Sequence, residues 1–137
     1  MRKRIALVVE DNPPEREQVE RWLQLAGFQV ATAADYRAAV AAMLVERPDI
    51  ILCDLTLPRE SGFDFVEHVR KTKGVEWIPI VVMTDRHSPE DMAHAEELGA
   101  NAYLKKPFPR DRLAKYVTTL LDAPHVSRPS VRRLRRS

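Results

Sequence analysis

The sequence predicts an α/β fold, a doubly wound parallel sheet of five strands with five helices. Three observations carry that prediction. Five short apolar stretches recur along the 137 residues, each followed by a stripe of apolar residues at helical spacing. The first, third and fourth stretches are nearly continuous rather than alternating, the pattern of strands covered on both faces. Four of the five run into polar or charged residues, which a parallel sheet would collect along one edge.

Ile5–Val9 is the first strand and leads into Glu10-Asp11, after which Asn12-Pro13-Pro14 turns the chain. Val19, Trp22, Leu23 and Ala26 then recur at helical spacing up to Gly27, a residue suited to a helix stop. Phe28–Ala33 is the second strand. Asp35 can cap a helix whose apolar stripe is Tyr36, Ala39, Val40, Met43 and Leu44. Pro48 separates it from the third strand, Asp49–Asp54, and the Pro58 and Gly62 that follow cannot continue a central strand. Phe65, Val66 and Val69 face inward on a third helix ending near Lys73-Gly74. Ile78–Met83 is the fourth strand, closed by Thr84; Pro79 is tolerable near its start. Ser88-Pro89-Glu90-Asp91 reads as an N-cap, a first-position proline and a capping-box acid, opening a helix that stops around Gly99. Ala102–Lys105 is the fifth strand and Lys106-Pro107-Phe108-Pro109 a loop. Leu113, Tyr116, Val117, Leu120 and Leu121 form the stripe of the last helix, ended by Pro124.

Hydrophobic residues make up 45% and charged residues 31%, an ordinary globular balance at a length suited to one domain. No apolar run approaches the roughly 20 residues of a membrane span. The basic then apolar N-terminus is too short for a signal peptide and meets Glu10-Asp11 in place of a cleavage site. A single cysteine, Cys53, excludes an internal disulfide and fits a reducing, cytoplasmic setting; it reads as a small buried hydrophobe. His68, His87, His94 and His125 stand singly and make no metal set. The net charge of +2 hides an asymmetry, because residues 124–137 hold five arginines and no acid, leaving −3 on the rest. That tail reads as a solvated extension or linker, or else as an arm for nucleic acid, an acidic partner or a lipid surface. It lacks the aromatic interleaving and the length of a DNA-binding domain.

If the sheet is parallel, Glu10-Asp11, Asp54, Thr84 and Lys106 meet at its carboxyl edge. Carboxylates brought that close repel one another, which raises some of their pKa values. A hard divalent cation relieves the repulsion, and an all-oxygen site with room for water suits Mg²⁺. With the charge neutralised, Asp54 can attack a phosphoryl group and become an acyl phosphate. Lys106 and the Thr84 hydroxyl can then pair with phosphoryl oxygens.

Glu10-Asp11, Asp54 with Pro58 and Gly62, Thr84, Tyr103 and Lys106-Pro107, in that order, resemble the receiver domain of two-component response regulators, chemotaxis regulators among them. The resemblance runs from about Ile5 to Leu121. It implies a flavodoxin-like sheet of strand order 2-1-3-4-5, a receiver domain over residues 1–123 and a separate basic tail over 124–137. It implies that Asp54 is the phosphoacceptor, supplied by a sensor histidine kinase, a phosphotransfer protein or a small phosphodonor. Asp11, Asp54 and the Thr56 carbonyl would hold Mg²⁺, with Glu10 assisting. Thr84 and Tyr103 would be the switch pair, Tyr103 turning inward toward space that Thr84 vacates, and Lys106 the cation, with a cis Lys106–Pro107 peptide. The switched surface, about residues 88–121, would engage a downstream protein or a second copy. Thr56 and Asp85 would be modulators. The family usually has a small residue where Asp85 stands, and a carboxylate there would either obstruct or repel a phosphodonor or point into solvent.

Three other functions compete. A haloacid-dehalogenase-like phosphatase uses a second acid two residues after its nucleophile, where this chain has Thr56. A pseudo-receiver that signals without phosphate is favoured by Asp85 alone. Flavin binding needs a phosphate-cradling loop after the first strand, and Glu10-Asp11 would repel the phosphate.

Overall fold

The computed structural model describes residues 2–86 and 88–122, so the expected boundary at 123, the basic tail, His87 and His125 lie outside the described residues. Strands and helices alternate: β1 (Ile5–Val9), α1 (Pro13–Leu25), β2 (Gln29–Ala33), α2 (Tyr36–Val45), β3 (Ile50–Asp54), α3 (Gly62–Lys71), β4 (Ile80–Thr84), α4 (Pro89–Leu98), β5 (Ala102–Lys105) and α5 (Arg110–Asp122). All strand pairs are parallel, in the order β2-β1-β3-β4-β5. This is the doubly wound sheet expected from the alternating elements.

Successive strand residues point to opposite faces. Ala6, Val8, Ile50, Leu52, Val81, Met83, Ala102 and Leu104 therefore face Val19 and Leu23 of α1 and Leu113, Val117 and Leu120 of α5. Leu7, Val9, Ile51, Cys53, Ile80, Val82 and Tyr103 face the other way, against Ala39 and Met43 of α2, Phe65, Val66 and Val69 of α3, and Ala95 of α4. Two cores on one sheet leave β1, β3 and β4 buried along their whole length. That is why these strands read as unbroken apolar runs. Cys53 is fully buried, and burial pushes its thiol well above the ordinary range, in line with a packing role.

Side-chain caps start the helices. Asn12, Asp35 and Ser88 accept the N–H of Glu15, Ala38 and Asp91, and Ser61 and Asp64 form a reciprocal capping box. Five expectations need correcting, Leu44 among them. The second strand begins at Gln29, the third at Ile50 and the fourth at Ile80, and Ala26 caps α1 in the open instead of packing. Leu44 is 83% exposed. Helix α2 packs on β1 and the edge strand β2, and Met43 reaches that core while its neighbour Leu44 is turned outward.

At the amino edge of the sheet Arg70 ties α3 to both flanking loops. Its guanidinium donates to the carbonyls of Gly99 (3.0 Å) and Ile78 (2.6 Å) and to Asn101 Oδ1 (2.7 Å), which also accepts the Ile80 N–H (2.8 Å). At the carboxyl edge Gly62 seats α3 against the end of β3. A Cβ there would lie 2.0 Å from the Asp54 carbonyl oxygen and 2.6 Å from the Leu55 Cα, so a glycine is required by the approach of two backbones. Gly62→Ala is expected to lower the unfolding free energy by about 1–3 kcal/mol, the usual cost of forcing backbone apart. Urea denaturation measures this, and an unchanged midpoint would refute the close-packed junction.

Candidate functional site

Three strands and one helix deliver the site. Glu10 follows β1, its backbone held by an N–H···O bond to Ala33 (2.9 Å), and is 1% exposed. Asp54 ends β3 and is 5% exposed; the Thr56 N–H donates to its Oδ1 at 2.8 Å. Lys106 follows β5, anchored by its N–H on the Thr84 carbonyl (2.9 Å), and the Lys106–Pro107 peptide is cis as expected. The Lys106 ammonium donates to Asp54 Oδ2 (2.6 Å), Glu10 Oε1 (2.6 Å) and Glu15 Oε1 (2.5 Å). An ammonium has three N–H groups, and all three are engaged.

Burial pulls the Lys106 pKa down, but the hydrogen bonds to Asp54, Glu10 and Glu15 outweigh it and hold the group above its usual range. Burial pushes the Glu10 carboxyl up to about 7, against the pull of Lys106 and with the Asp54 charge adding to the rise. The oxygens of Glu10, Glu15 and Asp54 lie within 4.8 Å of one another. This all-oxygen, net-negative group fits a hard cation. It borders an open cleft of about 310 Å³ lined by Glu10, Glu15, Asp85, Lys106, Pro107 and Phe108.

The other expected residues divide. Thr84 is fully buried at the end of β4, and its Oγ1 accepts the Arg86 N–H at 3.0 Å. Tyr103 is 3% exposed and turned inward, its hydroxyl donating to the Arg86 carbonyl. Burial, then the Asp91 charge, raises that hydroxyl to about 12, so it remains a donor. Asp85 is exposed on the cleft rim. Asp11 and Thr56 are exposed too, and Asp11 stands outside the close group of carboxylates.

Two residues escaped the sequence reading. Glu15 sits in the first turn of α1, where the Asn12 cap fixes its backbone and its side chain reaches back to the strand edge. The available signal was its place three residues after a capping Asn. Arg86 links Thr84 and Tyr103 through its backbone and pairs with Asp91 through its guanidinium (3.1 Å). No periodicity marks a residue that acts through its peptide groups.

Residues 6–118 match the response regulator receiver domain family. The chain belongs to that family. It functions as a receiver domain of two-component response regulators, and its Glu10–Asp54 acidic cluster fits the phosphoacceptor site of such domains. Among curated relatives it is 41% identical over 116 residues to the phosphate regulon transcriptional regulatory protein PhoB of Escherichia coli, covering 84% of this chain and 50% of that one. The chain thus spans about half the length of the curated relatives it matches. Chemotaxis protein CheY4 of Vibrio cholerae superimposes with a TM-score of 0.82 at 36% identity, over 85% of this chain and 98% of that one. The receiver domain of sensor histidine kinase PA1611 from Pseudomonas aeruginosa, with a magnesium ion in its active-site cleft, gives 0.82 at 30% identity, over 89% and 100%. Among the described residues no helix is long and apolar enough to cross a membrane.

A cation entering the receiver site must displace the proton that the raised Glu10 carboxyl retains near neutrality. The sign follows: Mg²⁺ affinity rises as pH rises through about 7, by about tenfold between about pH 6 and 8 for one linked proton. Without metal, folding stability falls as pH rises from the ordinary carboxylate range to about 7, where Glu10 must ionise in its buried place. Calorimetric titration of Mg²⁺ at several pH values checks this, and Glu10→Gln should flatten the dependence.

Proposed function

We propose that Asp54 is the phosphoacceptor and that the chain switches a protein-binding surface when Asp54 is phosphorylated. The observation that carries this is the 2.6 Å contact between the Lys106 ammonium and Asp54 Oδ2, made beside Glu10 at the carboxyl edge. A carboxylate oxygen of Asp54 attacks phosphorus. The new O–P bond forms as the P–N bond of a phosphohistidine breaks, and the bonding pair leaves on the imidazole nitrogen. The Thr56 N–H holds the carboxylate in place, and Lys106, a persistent cation, receives a phosphoryl oxygen. Bound Mg²⁺ would neutralise the carboxylates and the incoming phosphoryl oxygens. Asp11, Asp54 and the Thr56 carbonyl would hold it, with Glu10 assisting.

Output follows from Thr84. When its hydroxyl turns to the phosphoryl group, the Arg86 N–H loses its acceptor, and the Arg86 carbonyl that holds Tyr103 moves with it. Couplings of this kind are typically about 1–3 kcal/mol, a bias on two populated arrangements. The surface from about 88 to 121 then meets a downstream protein or a second copy. The donor is a sensor histidine kinase or a phosphotransfer protein, and the setting is the cytoplasm. The domain assists its own phosphotransfer and hydrolysis and has no other substrate, since Thr56 cannot supply the acid chemistry of a phosphatase.

Intact mass after incubation with Mg²⁺ and acetyl phosphate is expected to rise by one phosphoryl group, with no gain in Asp54→Ala. Turnover of a phosphomonoester would instead support the phosphatase reading. Asp85→Ala is expected to speed phosphorylation by small donors in a side-by-side time course, and an equal rate would remove Asp85 as a modulator.

A further inference from the structure

We infer that Glu15 is a positioning residue that restrains Lys106 before phosphorylation, and that the phosphoryl group must displace it. The inference rests on Asp54 being the acceptor and extends that reading to a residue outside the expected set. All three N–H groups of the Lys106 ammonium are engaged. A phosphoryl oxygen arriving on Asp54 can gain an N–H from Lys106 only if one carboxylate lets go.

The three are unequal. The Glu10 and Asp54 side chains are 2% and 7% exposed, while that of Glu15 is 45% exposed. Asp54 and Glu10 are fixed in the buried edge of the sheet, where Mg²⁺ would also hold them, whereas a half-exposed carboxylate can swing away and is rehydrated at small cost. Glu15 is therefore the partner that yields. Its reach is set locally, because the Asn12 side chain accepts the Glu15 N–H at 3.0 Å and fixes the first turn of α1. Until it yields, Glu15 lowers the fraction of molecules whose Lys106 can meet the phosphoryl group.

Glu15→Gln removes the charge, while Glu15→Asp keeps the charge but falls short by about 1.5 Å, one carbon–carbon bond. Restraint through contact predicts that both variants of the full chain are phosphorylated faster by phosphoramidate in Mg²⁺. The limiting rate should rise about two- to fivefold, the size of a partly exposed ion pair, with the half-saturating donor concentration unchanged. Repulsion of the anionic donor predicts otherwise: Glu15→Gln alone would improve, through half-saturation, and that result overturns the inference. So do equal limiting rates in all three proteins. Magnesium affinity of Glu15→Asp should stay within about threefold of the unsubstituted chain; a larger loss would make Glu15 a metal ligand and overturn its assigned role. In metal-free protein, hydrogen exchange at the ¹⁵N-labelled Lys106 ammonium should quicken in both variants, and unchanged exchange refutes the contact. If the unsubstituted chain takes no phosphate, the reading of Asp54 fails, and the metal-free exchange still tests the Glu15 contact separately.

Discussion

One ammonium organises the carboxyl edge of this protein. Lys106 draws together a residue after β1, the last residue of β3 and the first turn of α1, and it is itself positioned by the end of β4. Three acids and one base leave an excess of negative charge in a half-closed space. That excess holds the ammonium above its ordinary range, while burial first, and then the Asp54 charge, pushes the Glu10 carboxyl up to about 7. An all-oxygen, net-negative site in that condition suits a hard cation.

The strands can deliver these groups because their own packing is settled elsewhere. Alternate residues of each strand enter one of two cores, and a slip of one residue would move every side chain to the opposite face. Register is thereby pinned by burial, and the residues at the strand ends inherit it. Gly62 sharpens the geometry by letting α3 touch the backbone at Asp54. On the amino edge the Arg70 guanidinium does comparable work for the loops around β4 and β5, well away from the chemistry.

Arg86 connects the site to the flanking helices. Its N–H serves Thr84, its carbonyl serves Tyr103, and its guanidinium pairs with Asp91 of α4 while lying 5.6 Å over the Phe63 ring of α3. Phe63 in turn stacks on His94 of α4 at 4.6 Å. A change at the Thr84 hydroxyl thus meets, within one residue, both the inward tyrosine and the face shared by α3 and α4.

The fold was legible because hydrophobic period is a local property. Buried runs such as Ile50–Asp54, the caps at Asp35 and Ser88, and the stripe from Leu113 to Leu120 announce themselves without neighbours. The acids and the lysine were legible as strand-end residues, since a parallel sheet has one carboxyl edge. Leu44 misled because helical spacing says which side chains share a face, while coverage depends on what lies beneath that face. Glu15 and Arg86 were missed for a related reason: one acts by reaching across to a lysine 91 residues away, the other through its peptide groups. Sequence alone determined the elements and the chemistry assembled at their ends, because both follow from residue type and order. Only the tertiary structure decided which carboxylates share the ammonium and which of them faces water, because distance and solvent exposure arise when separate segments pack.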